Sequence, residues 1–284
     1  MNGILVLYKE KGYTSRDVVN IIGKELCTKK VGHTGTLDPM ATGVLVICVG
    51  QGLKLVELLT DHDKEYLAKI RLGIETDTLD FTGNILKDEK IKNYTKVEVE
   101  EVLRSFVGKI KQTVPKYAAV KVNGKKLYEY ARNGEEVVLP VRDVEIYDLK
   151  LVSDVKNNEF YIKCHVSKGT YIRSLVRDIG YALGTVATMV ELERTKLGKF
   201  SLEDTYTIDD IRECMYSILS IDEVLDLPKI VVDKKLEKKI SNGCVLDKFF
   251  DDDMAMVMNK NNQLLAIYQQ CTDNKVKPYR MFLR

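Results

Sequence analysis

The chain has 284 residues, 45% hydrophobic and 30% charged, enough for one large domain or a main domain with a small appendage. No apolar run approaches the ~18 residues that cross a bilayer, and the opening MNGILVLYKEKG has neither the basic start nor the apolar length of a signal peptide. A cytoplasmic protein is therefore expected. The net charge of +2 excludes a uniformly basic surface, so any nucleic-acid contact must use local clusters such as KVNGKKLYEYAR (Lys121 to Arg132) or VKPYRMFLR at the carboxyl end.

Residues 3–8, GILVLY, predict a short buried strand. TSRDVVNIIGKELC predicts a helix, with Thr14 and Asp17 as a near capping box and Val18, Ile21, Ile22 and Leu26 on one apolar face. A loop, GHTGTLDPMATG, then carries His33 and the single carboxylate Asp38 into an apolar run from Val44 to Val49. EYLAKIRLG alternates, with Tyr66, Ala68, Ile70 and Leu72 on one face, and predicts a strand. TKVEVEEVLRSFVG predicts a helix capped by Thr95 and Glu98 and stopped by Gly108. EFYIKCHV alternates again and leads through SKGT into YIRSLVRDIGYALG. There Ile172, Leu175, Val176, Ile179 and Leu183 have helical spacing, and Gly184 ends the helix. Beyond Asp222 short apolar runs alternate with Asn, Asp and Gly turns, a small β-rich unit with Pro228 at its boundary. Strands and helices mix without a regular βαβ repeat, so the fold class is α+β.

No Walker-type phosphate loop, no Gly-x-Gly-x-x-Gly opening a helix and no Gly-x-Ser-x-Gly elbow occurs. Nucleotide-cofactor and serine-hydrolase chemistry thus lose their main support. The six cysteines are scattered without a Cys-x-x-Cys pair, and the three histidines lack ligand spacing. Reduced, buried thiols and no metal site are expected. Taken singly, the polar candidates have ordinary explanations. Asp38 before Pro39 is a turn or cap residue, His33 a loop histidine, Tyr66 a core aromatic, and Arg173 a solvated charge on the polar side of its helix.

The order of the segments is more specific than any one residue. GHTGTLDPMATGVLVICVG resembles the nucleophile motif of the TruB family of tRNA pseudouridine-55 synthases. KEYLAKIRLGIETDTLDFTG is similar to that family's tyrosine-bearing motif, and VPKYAAVKVNGKKLYEYARNG to its thumb loop. SKGTYIRSLVRDIGYALG is similar to its arginine motif, and LERTKLGKF to its closing motif, with departures at Glu193 and Thr195. The resemblance covers residues 3–222, and the tail is more weakly similar to the family's PUA RNA-binding domain.

This resemblance implies a mixed, mainly antiparallel central sheet with flanking helices, the pseudouridine synthase fold, plus a small β-rich PUA-like domain. The catalytic domain would span 1–222, with a thumb at about 116–140, and the PUA-like domain 228–284. Asp38 would be the catalytic carboxylate, Arg173 its ion-pair partner, and Tyr66 the stack on the target base and the proton-transfer group. Tyr171 and Leu192 would line the uridine pocket, and His33 would stand near the displaced nucleotide. Lys9, Lys64, Lys121 and Arg194 would contact substrate or phosphate. The implied partner is tRNA, through its T arm. The chain resembles the bacterial stand-alone form, so no obligatory protein partner is expected, and a monomer is.

The implied reaction detaches uracil from C1′ of the ribose, turns it and rejoins it through C5. As an isomerisation it calls for no redox cofactor, metal or energy donor. It needs one ionised carboxylate, to attack the sugar or pyrimidine or to stabilise charge at the sugar. Desolvation favours the neutral acid, and a guanidinium counters that tendency. Flipping the base costs a few kcal/mol, which an aromatic stack of about 1–3 kcal/mol offsets. Two other readings compete: an RNA-folding chaperone of the same fold, with or without catalysis, and a glycosidase-like enzyme pairing Asp38 with Asp77 or Asp80.

Overall fold

The computed structural model describes residues 1–282; Leu283 and Arg284, the end of the basic VKPYRMFLR cluster, lie outside the described residues. The main sheet runs in the order Gly3–Lys9, Thr42–Val49, Ala187–Leu197, Lys64–Leu72, Glu159–Val166, Val141–Leu151, Gly108–Thr113. Val31–Thr34 pairs with Thr42–Val49, and Phe200–Ser201 with Ala187–Leu197. Every pairing is antiparallel except one, where Glu193 and Arg194 run parallel to Thr42 and Gly43. That joint brings the end of the Asp38 loop beside the closing motif.

Local signals set the main elements. Lys64, Tyr66, Ala68, Ile70 and Leu72 are buried while the positions between them are not, the period-2 pattern of a strand covered on one face. The helices Ser15–Glu25 and Lys96–Ser105 begin at complete capping boxes, Thr14 with Asp17 and Thr95 with Glu98. Helix Ile172–Ala182 lays Leu175, Val176 and Ile179 on the Tyr66 face of the sheet, beside Val99 and Leu103. Each such aliphatic side chain contributes about 1.5–3 kcal/mol on full burial. The far face of these strands carries the ion pairs Lys69–Glu159 at 2.8 Å and Lys163–Glu65 at 2.9 Å.

Between Gly108–Thr113 and Val141–Leu151 the chain leaves the sheet. Lys121–Val122 pairs with Lys125–Lys126 across Asn123 and Gly124, whose φ values of 50° and 83° suit a two-residue hairpin turn. Helix Leu127–Arg132 follows, and Leu127, Val114 and Ala118 form a small core against Tyr171.

Residues 229–281 form a second sheet, Lys229–Val231, Met254–Met258, Leu264–Thr272, Lys275–Met281 and Leu246–Asp247, flanked by helix Lys234–Ser241. This tail is no bead on a linker. Its Met256, Ile267 and Phe282 join Leu55, Leu59, Leu197 and Val224 in one apolar cluster. Arg280 adds a hydrogen bond to Lys54 O at 3.1 Å and an ion pair with Glu57.

The expectation of buried thiols holds only in part. Cys48 and Cys164 are buried, which pushes each thiol up to about 12, whereas Cys27, Cys214 and Cys271 are exposed. Among the described residues no helix is long and apolar enough to cross a membrane.

Candidate active site

The loop from Gly35 to Ala41 is pinned from several sides. Leu37 N–H donates to Ser15 Oγ at 2.9 Å, and Ser15 Oγ donates to Leu37 O at 3.2 Å. Pro39 O accepts from Gly12 N–H at 2.8 Å and Lys9 Nζ at 3.3 Å. Leu37 and Met40 are buried beneath it. At its exit Gly43 has φ 103°, and a Cβ there would stand 2.3 Å from Arg194 O. Only glycine lets the two strands approach that closely. The loop therefore holds Asp38 rigidly over the sheet.

Arg173 meets Asp38 with two prongs: Nε to Oδ2 at 2.9 Å and Nη2 to Oδ1 at 3.2 Å. The arginine sits in the first turn of helix Ile172–Ala182, at the corner where strand Glu159–Val166 turns back. Its side chain is 6% exposed and two of its three remaining N–H donors are engaged. Nη1 donates to Thr78 O and Nη2 to Tyr117 O, each at 3.0 Å. Asp80 stands 3.9 Å from Nη1. The ordinary explanation of Arg173 as a solvated charge is thus overturned: the loop at Thr78 and the base of the thumb cover it.

The Asp38 side chain is 35% exposed but lies within a walled cleft. Burial pushes its carboxyl above the ordinary range, and the Arg173 charge pulls it back down. The cleft encloses about 680 Å³ and is lined by Asp38, Tyr66, Tyr171, Arg173, Leu192 and Arg194, among others. Tyr66 comes from strand Lys64–Leu72, opposite Arg194 in register. Burial pushes its hydroxyl up, against the opposing pull of Arg194, so it is a protonated phenol at neutral pH. A second cavity of about 640 Å³ lies under the thumb and shares Tyr117, but neither Asp38 nor Arg173 lines it.

The basic candidates separate by position. Lys9 is fully buried, and its Nζ donates to Glu10 O, Tyr13 O and Pro39 O. That corrects the expectation of a substrate contact: Lys9 fastens the Asp38 loop from behind, and burial pushes it down to about 8. Arg194 is also buried, donating to Val44 O at 2.8 Å and Gly35 O at 3.2 Å, yet it lines the cleft floor beside Tyr66. Lys64 lines the cleft but spends Nζ on Thr60 O and His62 O. Lys121 is exposed on the thumb hairpin, away from the cleft lining. His33 lies in strand Val31–Thr34 opposite Ile47, not in a loop, and outside the cleft lining. Burial, then the charges of Arg16 and Arg194, push its pKa down, which leaves it neutral.

Asp80 and Tyr117 were not singled out as partners of Arg173. Asp80 enters the sequence reading only as a possible second acid. Thr78 Oγ1 and Thr82 N–H saturate its Oδ1, at 2.9 and 3.0 Å, and it does not line the cleft. Asp77 lines the cavity under the thumb and accepts from Asn84, so neither acid shares the cleft with Asp38, which speaks against a two-carboxylate hydrolase. The alternation of Thr and Asp in TDTLDFT was the available signal. Tyr117 acts through a backbone carbonyl, for which no side-chain signal exists.

Residues 24–172 match the family model described as TruB family pseudouridylate synthase (N terminal domain), and residues 173–232 that of the tRNA pseudouridylate synthase B C-terminal domain. The chain is 46% identical over 297 residues to tRNA pseudouridine synthase B of Oceanobacillus iheyensis, covering 99% of this chain and 98% of the relative. It is 39% identical over 283 residues to tRNA pseudouridine synthase B of Caldanaerobacter subterraneus subsp. tengcongensis, covering 99% of each. A chain of the archaeal box H/ACA sRNP Nop10-Cbf5 complex superposes with a TM-score of 0.73 at 23% identity, over 99% of this chain and 86% of that one, a likeness of fold. With matched models over 24–232 and relatives aligned end to end, the chain belongs to the TruB family of pseudouridylate synthases.

Proposed function

We propose that the protein is a tRNA pseudouridine synthase that isomerises a uridine of the T loop, position 55, to pseudouridine. The observation that carries the reading is the two-pronged Asp38–Arg173 pair in a cleft walled by Tyr66, within a chain of this family. The target uridine leaves the RNA stack and enters the cleft, and Tyr66 stacks on it. Asp38, held ionised by Arg173, attacks the nucleoside or stabilises the charge left at the sugar. The N1–C1′ bond breaks, the uracil turns within the cleft, and a C5–C1′ bond forms; on the attack route the bond from Asp38 to the nucleoside breaks again and the carboxylate is released. C5 then releases its proton and N1 gains one, so the atoms balance. The Tyr66 phenol is the group that passes this proton.

Tyr171 and Leu192 form the apolar part of the uridine pocket. The exposed, lysine-rich thumb bearing Lys121 grips the T-arm backbone, a contact that weakens with salt. The β-rich tail acts as a PUA-like RNA-binding unit. The enzyme works in the cytoplasm as a monomer and without a protein or RNA partner. Mapping of pseudouridine in tRNA transcripts after incubation with the purified protein alone tests this. One modified T-loop uridine is expected; no modification, or modification only with added guide RNA, contradicts it.

A further inference from the structure

An exposed phenylalanine stands next to the residues that hold Arg173. Phe81 is 44% exposed and joins none of the apolar clusters among the described residues. Its backbone is nevertheless fixed, since Phe81 N–H donates to Met189 O at 2.9 Å. The residues around it also hold Arg173, through Thr78 O at 3.0 Å and Asp80 at 3.9 Å. Over its ring, 4.8 Å from the centroid, lies the ammonium of Lys11. Lys11 is exposed on the turn whose Lys9 and Gly12 both donate to Pro39 O, the residue after Asp38. Ring and ammonium are thus each tied, within three residues, to a different half of the Asp38–Arg173 pair.

We propose that Phe81 and Lys11 form a nucleotide subsite outside the uridine cleft, taking an unpaired nucleotide next to the flipped uridine. The base stacks on the Phe81 ring, and Lys11 moves from the ring face to that nucleotide's phosphate. An aromatic face accepts any base, and a phosphate attracts an ammonium more strongly than a ring quadrupole does. Phe81 and Lys11 do not line the cleft themselves, and an exposed ammonium beside an exposed ring, each tied to one half of the Asp38–Arg173 pair, favours RNA over a protein partner at this patch. The subsite rests on the synthase reading and extends it.

The test is steady-state pseudouridylation of a tRNA transcript by wild type, Phe81→Ala, Phe81→Tyr and Lys11→Gln, with melting temperatures and solution masses. Phe81→Ala is expected to raise KM about tenfold, with kcat within about twofold and the melting temperature unchanged. Phe81→Tyr restores KM. Lys11→Gln lowers the slope of log affinity against log salt by about one. An abasic residue at one loop position beside the target is expected to abolish the difference between wild type and Phe81→Ala. An unchanged KM in Phe81→Ala, no rescue by tyrosine, or a change in solution mass in place of KM overturns the subsite. Wild-type protein that modifies no uridine overturns the synthase reading itself.

Discussion

At the scale of the residue, the site turns on how one carboxylate stays charged in a walled cleft. Burial raises the Asp38 pKa and Arg173 lowers it, so the ionised fraction is lost as pH falls through that raised value. The acid limb of the kcat profile is therefore expected above the range of an ordinary aspartate. Arg173→Gln removes the opposing charge, moves the limb to still higher pH and lowers kcat about a hundredfold, the scale of losing one charge-stabilising donor. Arg173→Lys should recover part of both, and a pH profile of single-turnover rates reads the difference. Lys9→Met tests the anchor: leaving buried carbonyls unpaired costs about 1–3 kcal/mol. It should lower both the melting temperature and kcat with little change in KM. Asp38, Tyr66 and Arg173 were legible as a set only through the order of their motifs. The burial of Arg173 was not legible, because Thr78 and Tyr117, distant in sequence, provide the cover.

At the scale of the element, local chemistry wrote most of what could be read. Capping boxes and period-2 alternation placed the helices and strands, since both depend on residues within a turn or a strand of one another. The parallel joint between Thr42–Gly43 and Glu193–Arg194 leaves no such mark. It depends on the missing side chain of Gly43. Gly43→Ala would set a Cβ 2.3 Å from Arg194 O and push the Asp38 loop off the sheet. A large fall in kcat with tRNA affinity retained is expected, measured by single turnover beside filter binding. The thumb rests on the Leu127 core and touches Arg173 through Tyr117 O. Leu127→Ala, a loss of about 2–5 kcal/mol where a leucine is fully packed, should speed amide exchange over 116–140 while the main sheet stays protected. Unchanged exchange in the thumb would show that this core does not hold it.

At the scale of the whole molecule, the two sheets share an interior. Pro228 and the change of texture mark where the β-rich unit begins, and across that boundary Met256, Ile267 and Phe282 pack with Leu55, Leu59 and Val224. Composition marks a boundary in the chain but says nothing of what the two sides bury together. Ile267→Asp, a carboxylate in that seam, should lower the melting temperature of the entire chain in one calorimetric transition. A separate early transition for the tail would refute a shared core. The central claim, that Asp38 carries the isomerisation, is tested most directly by tritium release from tRNA labelled at C5 of uridine, measured for wild type and Asp38→Asn beside tRNA binding. Release by the wild type, none by Asp38→Asn and near-equal binding are expected; tritium release by Asp38→Asn at the wild-type rate would contradict it.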